Sequence, residues 1–276
     1  MKSRLPQGNE SHVAYGARQD SVVKRYNGNG DPFAKCAREA AFYRCYRDAA
    51  VLPRLIGSGA DWIEITTAPG VRIADLPEPQ RRALTGAYAE ALVRLFAEAP
   101  EPDAAARRSC GATSARVTRD LSYSGIVAYR TASGPSDVLD ALLFSLARVV
   151  LTRDVLAKLD WNSANTFAAG NSISAFIDFE QTFIGTREML TGAVLLNPDF
   201  DAALLYKALA RGGMASVGPQ EIVHYMNLAF ARQLLDSYER SGRAWSAGRL
   251  EEAYRRHVFA RHIDVVAGGV DGHHVD

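Results

Sequence analysis

The sequence predicts an α+β fold in two lobes, a small antiparallel sheet with one helix and then a larger, mainly helical part. Three observations carry this. The first 66 residues read strand, strand, helix, strand, strand; a short Pro/Gly linker closes them; and the rest of the chain has helical periodicity with a single later hairpin. The expected boundary divides residues 1–66 from residues 67–276. At 276 residues, 47% hydrophobic and 23% charged, the chain can build a sizeable core. Its formal net charge of +1 provides no basic field for a nucleic acid or an anionic membrane. The longest apolar stretch, Ala141 to Leu151, is interrupted by Ser145 and Arg148 and falls short of the roughly 18 to 20 residues that span a bilayer. No apolar run comes after the charged start at Lys2 and Arg4, so a cytoplasmic protein is expected.

Each element has its local cause. His12–Tyr15 and Ser21–Tyr26 are β-rich runs joined by a turn-forming stretch through Gly16 and Asp20, a hairpin pattern. Asp31 then caps a helix with Pro32 at its first position, running from Phe33 to about Ala50. On it Glu39, Phe42, Tyr43 and Tyr46 share one face, which places a carboxylate among buried aromatics, where it needs a cation. Arg54–Ile56 and Trp62–Thr66 form two further strands, and Thr67–Gly70 the linker. Helices are expected near Glu78–Ala97, Ser136–Lys158, Pro219–Arg240 and Leu250–His262. Residues 100–134 have weak periodicity that fits either a loop excursion or short helices. The Gly-rich tail from Ala267 reads as loose. Cys36 and Cys45, nine residues apart on one helix, fall on opposite faces and are not expected to pair.

The chemistry-bearing stretch comes directly after the Ser136–Lys158 segment. Asp160, four intervening residues and Asn165 precede a hairpin over Thr166–Phe176, and Asp178 sits at the end of its second strand, in Ile177-Asp178-Phe179-Glu180. Upstream, Lys24 lies on a strand fifteen positions before Glu39. This order resembles the catalytic core of the protein-kinase-like superfamily, and most of all its aminoglycoside phosphotransferase and choline/ethanolamine kinase branches; the resemblance covers roughly residues 8–190. It implies a two-lobed protein-kinase-like fold and transfer of the γ-phosphate of ATP to the hydroxyl of a small molecule.

The resemblance also implies roles that the residue types suit. Phosphoryl transfer needs positioning and neutralised phosphate charge. Lys24 would supply an ammonium, with Glu39 holding it. Asp178 and the Asn165 amide oxygen are hard ligands suited to magnesium. Asp160 would orient the acceptor hydroxyl and take its proton. The Gln7–Ser11 loop, with Ser11 as its last residue, lies where the family closes backbone N–H groups over the phosphates. Backbone groups near Thr66 and Ala68 would receive the adenine.

Other routes to a nucleotide are absent: Gly28-x-Gly30 comes after the lysine strand instead of opening a helix, and no Gly-x4-Gly-Lys-Ser/Thr segment exists. The six histidines show no metal-ligand spacing. The chain departs from the family pattern where Lys158 replaces the usual His two residues before the base, and Ser163-Ala164 replaces Pro-Gly. Those departures favour, as an alternative, a catalytically impaired pseudokinase-like binding module. Glu188 stands only approximately where the family has a further Asp. From Phe179 onward 12 acidic residues face 10 basic ones, which gives a polycationic acceptor no particular support over a sugar or an amino alcohol. Tyr206, Tyr225 and Trp245 are candidates for stacking on an acceptor.

Overall fold

Residues 11–18, 20–27, 31–97 and 99–270 are described by a computed structural model. Gln7–Glu10, expected to close over the phosphates, and the Gly28–Gly30 segment lie outside the described residues. β1 (Ser11–Tyr15) and β2 (Ser21–Tyr26) form the expected hairpin, with Ser11 opposite Tyr26 and Val13 opposite Lys24. β3 (Leu55–Ser58) and β4 (Trp62–Thr66) complete a four-stranded antiparallel sheet in the order β1-β2-β4-β3. Between the hairpins runs α1 (Pro32–Cys45), capped by Asp31, whose carboxylate accepts from the N–H groups of Phe33 and Ala34. The helix stops at Cys45, earlier than the expected Ala50, where Tyr46 leaves helical geometry and its N–H closes onto the Phe42 carbonyl.

After the linker, β5 (Val71–Arg72) leaves the first sheet and pairs with β7 (Thr166–Ala169), which is hairpinned to β8 (Ser172–Phe176). Gly70 permits this crossing: its φ is +91°, and a Cβ there would stand 2.1 Å from the Ala168 carbonyl oxygen. The expected Glu78–Ala97 helix is broken at Leu84 into α2 (Glu78–Ala83) and α3 (Thr85–Phe96). The ambiguous 100–134 region resolves into α4 (Ala104–Ser109) and α5 (Ala115–Ser133), capped by Asp103 and Ser114.

The expected helix over 136–158 is wrong beyond its first half. α6 spans Asp137–Leu146, and Val155–Lys158 is instead a fully buried strand, β6, paired antiparallel with β9 (Thr182–Gly185). An apolar run of this length reads equally as buried helix or buried strand. The turn between them is fixed from outside, because Asp154 accepts from the Arg107 guanidinium at 2.6 Å and the Ala115 N–H at 3.0 Å.

The remaining helices are α7 (Arg187–Leu195), α8 (Ala202–Arg211), α9 (Ile222–Ser241), α10 (Ala247–Tyr254) and α11 (Ala260–Val270). A π-helical turn over Arg255–Phe259 joins the last two, so the segment expected to be loose is helical as far as Val270. None of the described helices is long and apolar enough to cross a membrane. All three cysteines are free.

The two lobes meet through aromatic packing. Phe42 of α1 stacks on Phe179 with ring centroids 3.8 Å apart, and Phe96 and Trp161 close edge-on around the pair. The Tyr46 hydroxyl donates to the Leu156 carbonyl at 3.0 Å, fastening α1 to β6.

Candidate active site

Lys24 and Tyr26 alternate onto the inner face of β2, and the Tyr26 ring centre lies 4.9 Å from the Lys24 ammonium. Glu39, 1% exposed on the inner face of α1, accepts from Lys24 at 2.9 Å and from the Tyr26 hydroxyl at 2.5 Å. The cation expected opposite this inward carboxylate is therefore Lys24. Two more carboxylates reach the same ammonium, Asp178 at 2.5 Å and Glu180 at 3.1 Å. Burial alone would lower the Lys24 pKa, but Glu39, Asp178 and Glu180 together hold it well above the usual lysine value. Carboxylate oxygens of Glu39, Asp178 and Glu180 lie within 4.8 Å of one another, a set of hard donors that fits a divalent cation. Glu180, two positions after Asp178 and beyond the end of β8, was missed as a site residue by the sequence.

Asp178 adopts φ +65°, the one non-glycine residue in the left-handed region among those described. Such backbone costs about 1 kcal/mol and needs surroundings that hold it. Here the holding groups are visible. The Ile177 N–H donates to the Asn165 carbonyl at 3.0 Å, and the Ile177 carbonyl accepts from the Lys158 ammonium at 2.6 Å. The residue before Asp178 is thus tied on both sides to the segment carrying Asp160.

Within that segment, Asn162 caps a short 3₁₀ turn by accepting from the Asn165 N–H at 2.9 Å. The Asp160 carboxylate accepts from the Asn162 amide at 2.6 Å and the Asn165 amide at 3.0 Å. Burial raises the Asp160 pKa, the neighbouring Asp178 charge adds to it, and Lys158, Asn162 and Asn165 oppose. Asp178 moves the other way. Burial pushes it up, but the ammonium groups of Lys24 and Lys158 more than offset this and lower it. Two nearby carboxylates with separated proton affinities are the arrangement in which one serves as base and the other stays ionised.

Lys158 is fully buried, with its ammonium 4.8 Å from the Phe179 ring centre and 5.4 Å from that of Trp161. Burial lowers its pKa against the pull of Asp178, Asp160 and Glu39. It braces the loop from beneath through its bond to the Ile177 carbonyl. Glu188, the approximate match to a further acidic residue, is also structural: it accepts from Thr152 at 2.7 Å and Ser216 at 2.6 Å at the start of α7. Tyr206 and Tyr225 are core residues whose hydroxyls donate to the carbonyls of Val217 and Val150.

The residues expected to touch the nucleotide fall along the first sheet. Ser11 is buried at the start of β1. The Thr66 N–H is committed to the Arg54 carbonyl and its hydroxyl accepts from the Arg54 N–H, so Thr66 cannot present its N–H to a ligand. Ala68, two residues further on, makes no backbone–backbone hydrogen bond among the described residues.

No curated protein matches the sequence. Solved structures with the same architecture include a macrolide 2′-phosphotransferase from Brachybacterium faecium, with 15% identity over 91% of this chain and 89% of that one and a TM-score of 0.64. An ADP-bound aminoglycoside phosphotransferase shares 13% identity over 95% and 93%, with a TM-score of 0.62. A choline/ethanolamine kinase family protein from Mesorhizobium loti shares 16% over 96% and 92%, with a TM-score of 0.61. At these identities the likeness establishes the fold. The sequence model of the phosphotransferase enzyme family matches residues 3–213, a span that contains the Lys24–Glu39 pair and both carboxylate loops. This chain belongs to the phosphotransferase enzyme family.

Proposed function

We propose that the protein transfers the γ-phosphate of ATP to the hydroxyl of a small-molecule acceptor, with magnesium as cofactor. The observation that carries this is the convergence on one ammonium, Lys24, of Glu39 from α1 and Asp178 from the loop after β8. Asp178 is tied through Ile177 to the segment bearing Asp160. In this reading Lys24 orients the phosphates and Glu39 holds it in place. Asp178, Asn165 and Glu180 supply oxygen ligands for magnesium, which when bound would neutralise phosphate charge. Asp160 accepts the acceptor's proton, and its raised pKa brings it closer to the working pH of a general base. The adenine docks on the linker through the backbone of Ala68, which makes no backbone–backbone hydrogen bond among the described residues; Ser11 borders the phosphate end. Residues 1–66 act as the nucleotide lobe and residues 67–276 carry the base, the metal ligands and the acceptor wall. Lys158, whose presence favoured a non-catalytic module on sequence grounds, is buried beneath the loop against Phe179.

Thermal midpoints with and without Mg-ATP test the reading. A ligand at about 100 times its dissociation constant adds about 2.7 kcal/mol to native stability. The expected result is a magnesium-dependent rise in wild type, retained in Asp160→Asn and lost in Asp178→Ala, with transfer abolished in both. No rise in wild type, or transfer at the wild-type rate in Asp160→Asn, overturns the assignment.

A further inference from the structure

The chain leaving Asp178 is touched by two arginines from opposite lobes. Arg38, half-buried on α1, donates its Nε to the Glu180 carbonyl at 2.8 Å. Arg232, on α9, lies over the Phe183 ring with its guanidinium carbon 5.4 Å from the ring centre. Phe183 is fixed in β9, the strand that begins two residues after Glu180. Arg38 opposes the charge of Arg232, and the Cys110 thiol at the end of α4 is within electrostatic reach of both guanidinium groups.

Arg232 is poorly satisfied. Its Nε is buried and has no hydrogen-bond partner. Its one side-chain bond is a 3.4 Å contact from Nη1 to Ser122 Oγ, a hydroxyl that itself donates to the Thr118 carbonyl. It forms no ion pair with any described carboxylate. On its own helix Glu239 and Asp236 favour its charge from further away, and Asp236 is already bonded to Arg240 at 2.9 Å. From the facing elements come Arg38, which opposes the charge, and the Cys110 thiol. A buried charge in a folded protein is ordinarily paired, because its desolvation penalty amounts to several kcal/mol. A guanidinium with an unpartnered N–H, and a second guanidinium on the same stretch of chain from Glu180 to Phe183, offer the donors that bind planar or tetrahedral oxyanions.

We propose that Arg232 and Arg38 form an anion site between the lobes, alongside Glu180–Phe183, that receives a carboxylate, phosphate or sulfate group carried by the acceptor. The proposal rests on the phosphotransferase reading and deepens it: the acceptor is a hydroxylated anion, and a polycation is disfavoured. Binding there would also link the lobe that carries Lys24 to the lobe that carries Asp160, so the acceptor's charged group would help hold the cleft in its reactive form.

The first arm measures radiolabelled sulfate binding by equilibrium dialysis at constant ionic strength, in wild type, Arg232→Gln and Arg38→Gln, each checked for a cooperative thermal transition. The expected result is a saturable site weakened at least ten-fold in each folded variant. Sulfate held near Lys24 would persist in both variants and is thereby separated. If Arg232→Gln does not fold, Arg38→Gln decides the outcome. Absence of saturable binding in wild type, or equal affinity in the variants, overturns the site. The second arm competes sulfate with glycerate and glucose 6-phosphate against glycerol and glucose, and tracks phosphate transfer from Mg-ATP to each. Displacement by the anionic members only, with any transfer to them showing a KM raised at least ten-fold in the variants, supports an acceptor-borne anion. Transfer to a neutral or polycationic compound with KM unchanged in Arg232→Gln assigns the site to a free anion and overturns the substrate class. Failure of Mg-ATP to protect wild type while the sulfate site persists overturns the phosphotransferase reading instead, so the two failures are distinct.

Discussion

Burial holds the Asp160 carboxyl above its ordinary value, so the folded protein binds that proton more tightly than the unfolded chain does. The ionised form therefore lowers stability at pH values above the folded pKa, and this loss vanishes as pH falls below the unfolded value. Asp160→Asn removes the ionisation and keeps one of the two oxygens that accept separately from Asn162 and Asn165, so one of these hydrogen bonds is lost. Its thermal midpoint relative to that of wild type is expected to be higher at about pH 8 than near about pH 4, where the ionisation penalty of wild type is gone. Calorimetry across that range checks it; a relative midpoint that rises on acidification contradicts the assignment. In wild type the transfer rate falls as pH drops through the raised Asp160 pKa. Lys158 acts on the same loop through Ile177. Lys158→Met relieves a buried charge and loses one hydrogen bond, opposing effects on stability. The loss of aim at Asp178 and Asp160 is expected to lower kcat about 10- to 100-fold. Stopped-time transfer assays beside nucleotide titrations separate this from weakened binding, since the nucleotide Kd is expected to stay within about two-fold of wild type, well inside the ten-fold that 1.4 kcal/mol represents.

Among the elements, α7 and α9 approach each other closely at their backbones. A Cβ on Gly192 would stand 2.4 Å from the Tyr225 carbonyl carbon and 2.7 Å from the Met226 nitrogen, both backbone atoms that cannot rotate aside. Gly192→Ala is expected to destabilise by about 1–3 kcal/mol. Gly86→Ala, on α3 with nothing within 4 Å of the new methyl, is expected to be neutral or to stabilise by up to about 1 kcal/mol. Urea midpoints of the two variants test the contrast, and equal effects would contradict it. At this scale the first sheet was legible because its strands are short, β-rich and bounded by turn residues. β6 was not. Val149, Val155 and Leu156 read as a continuation of α6, and the partner that makes Val155–Lys158 a strand, Thr182–Gly185, lies more than twenty residues away. Neither α7 nor α8 was resolved from sequence, although Thr186 and Asp201 cap them as Asp31 caps α1.

Across the whole molecule Phe179 is central to the aromatic contacts that join the lobes. It is fully buried, stacks on Phe42 at 3.8 Å, meets Tyr43 edge-on at 5.2 Å and lies 4.8 Å from the Lys158 ammonium. Phe179→Ala is expected to cost about 3–5 kcal/mol. Because α1 loses its register on the Asp178 loop, Mg-ATP affinity is expected to fall as well. Denaturant unfolding beside nucleotide titration checks both; a variant that loses stability while keeping full nucleotide affinity would show that the stack does not position Lys24 and Glu39.

By itself the sequence determined the order of the chemistry. Asp160, Asn165, the hairpin and Asp178 lie within one contiguous stretch whose turn and strand signals are local, and Lys24 and Glu39 sit on adjacent elements with clear boundaries. Tertiary structure alone decided which charges are paired. Glu180 joins Lys24 across more than 150 positions, Lys158 is sealed between Phe179 and Trp161, and the buried Nε of half-buried Arg232 has no partner. Hydrophobic period records which face of an element is covered, but the identity of the group that covers it depends on contacts between segments distant in the chain. A buried charge is defined by those contacts.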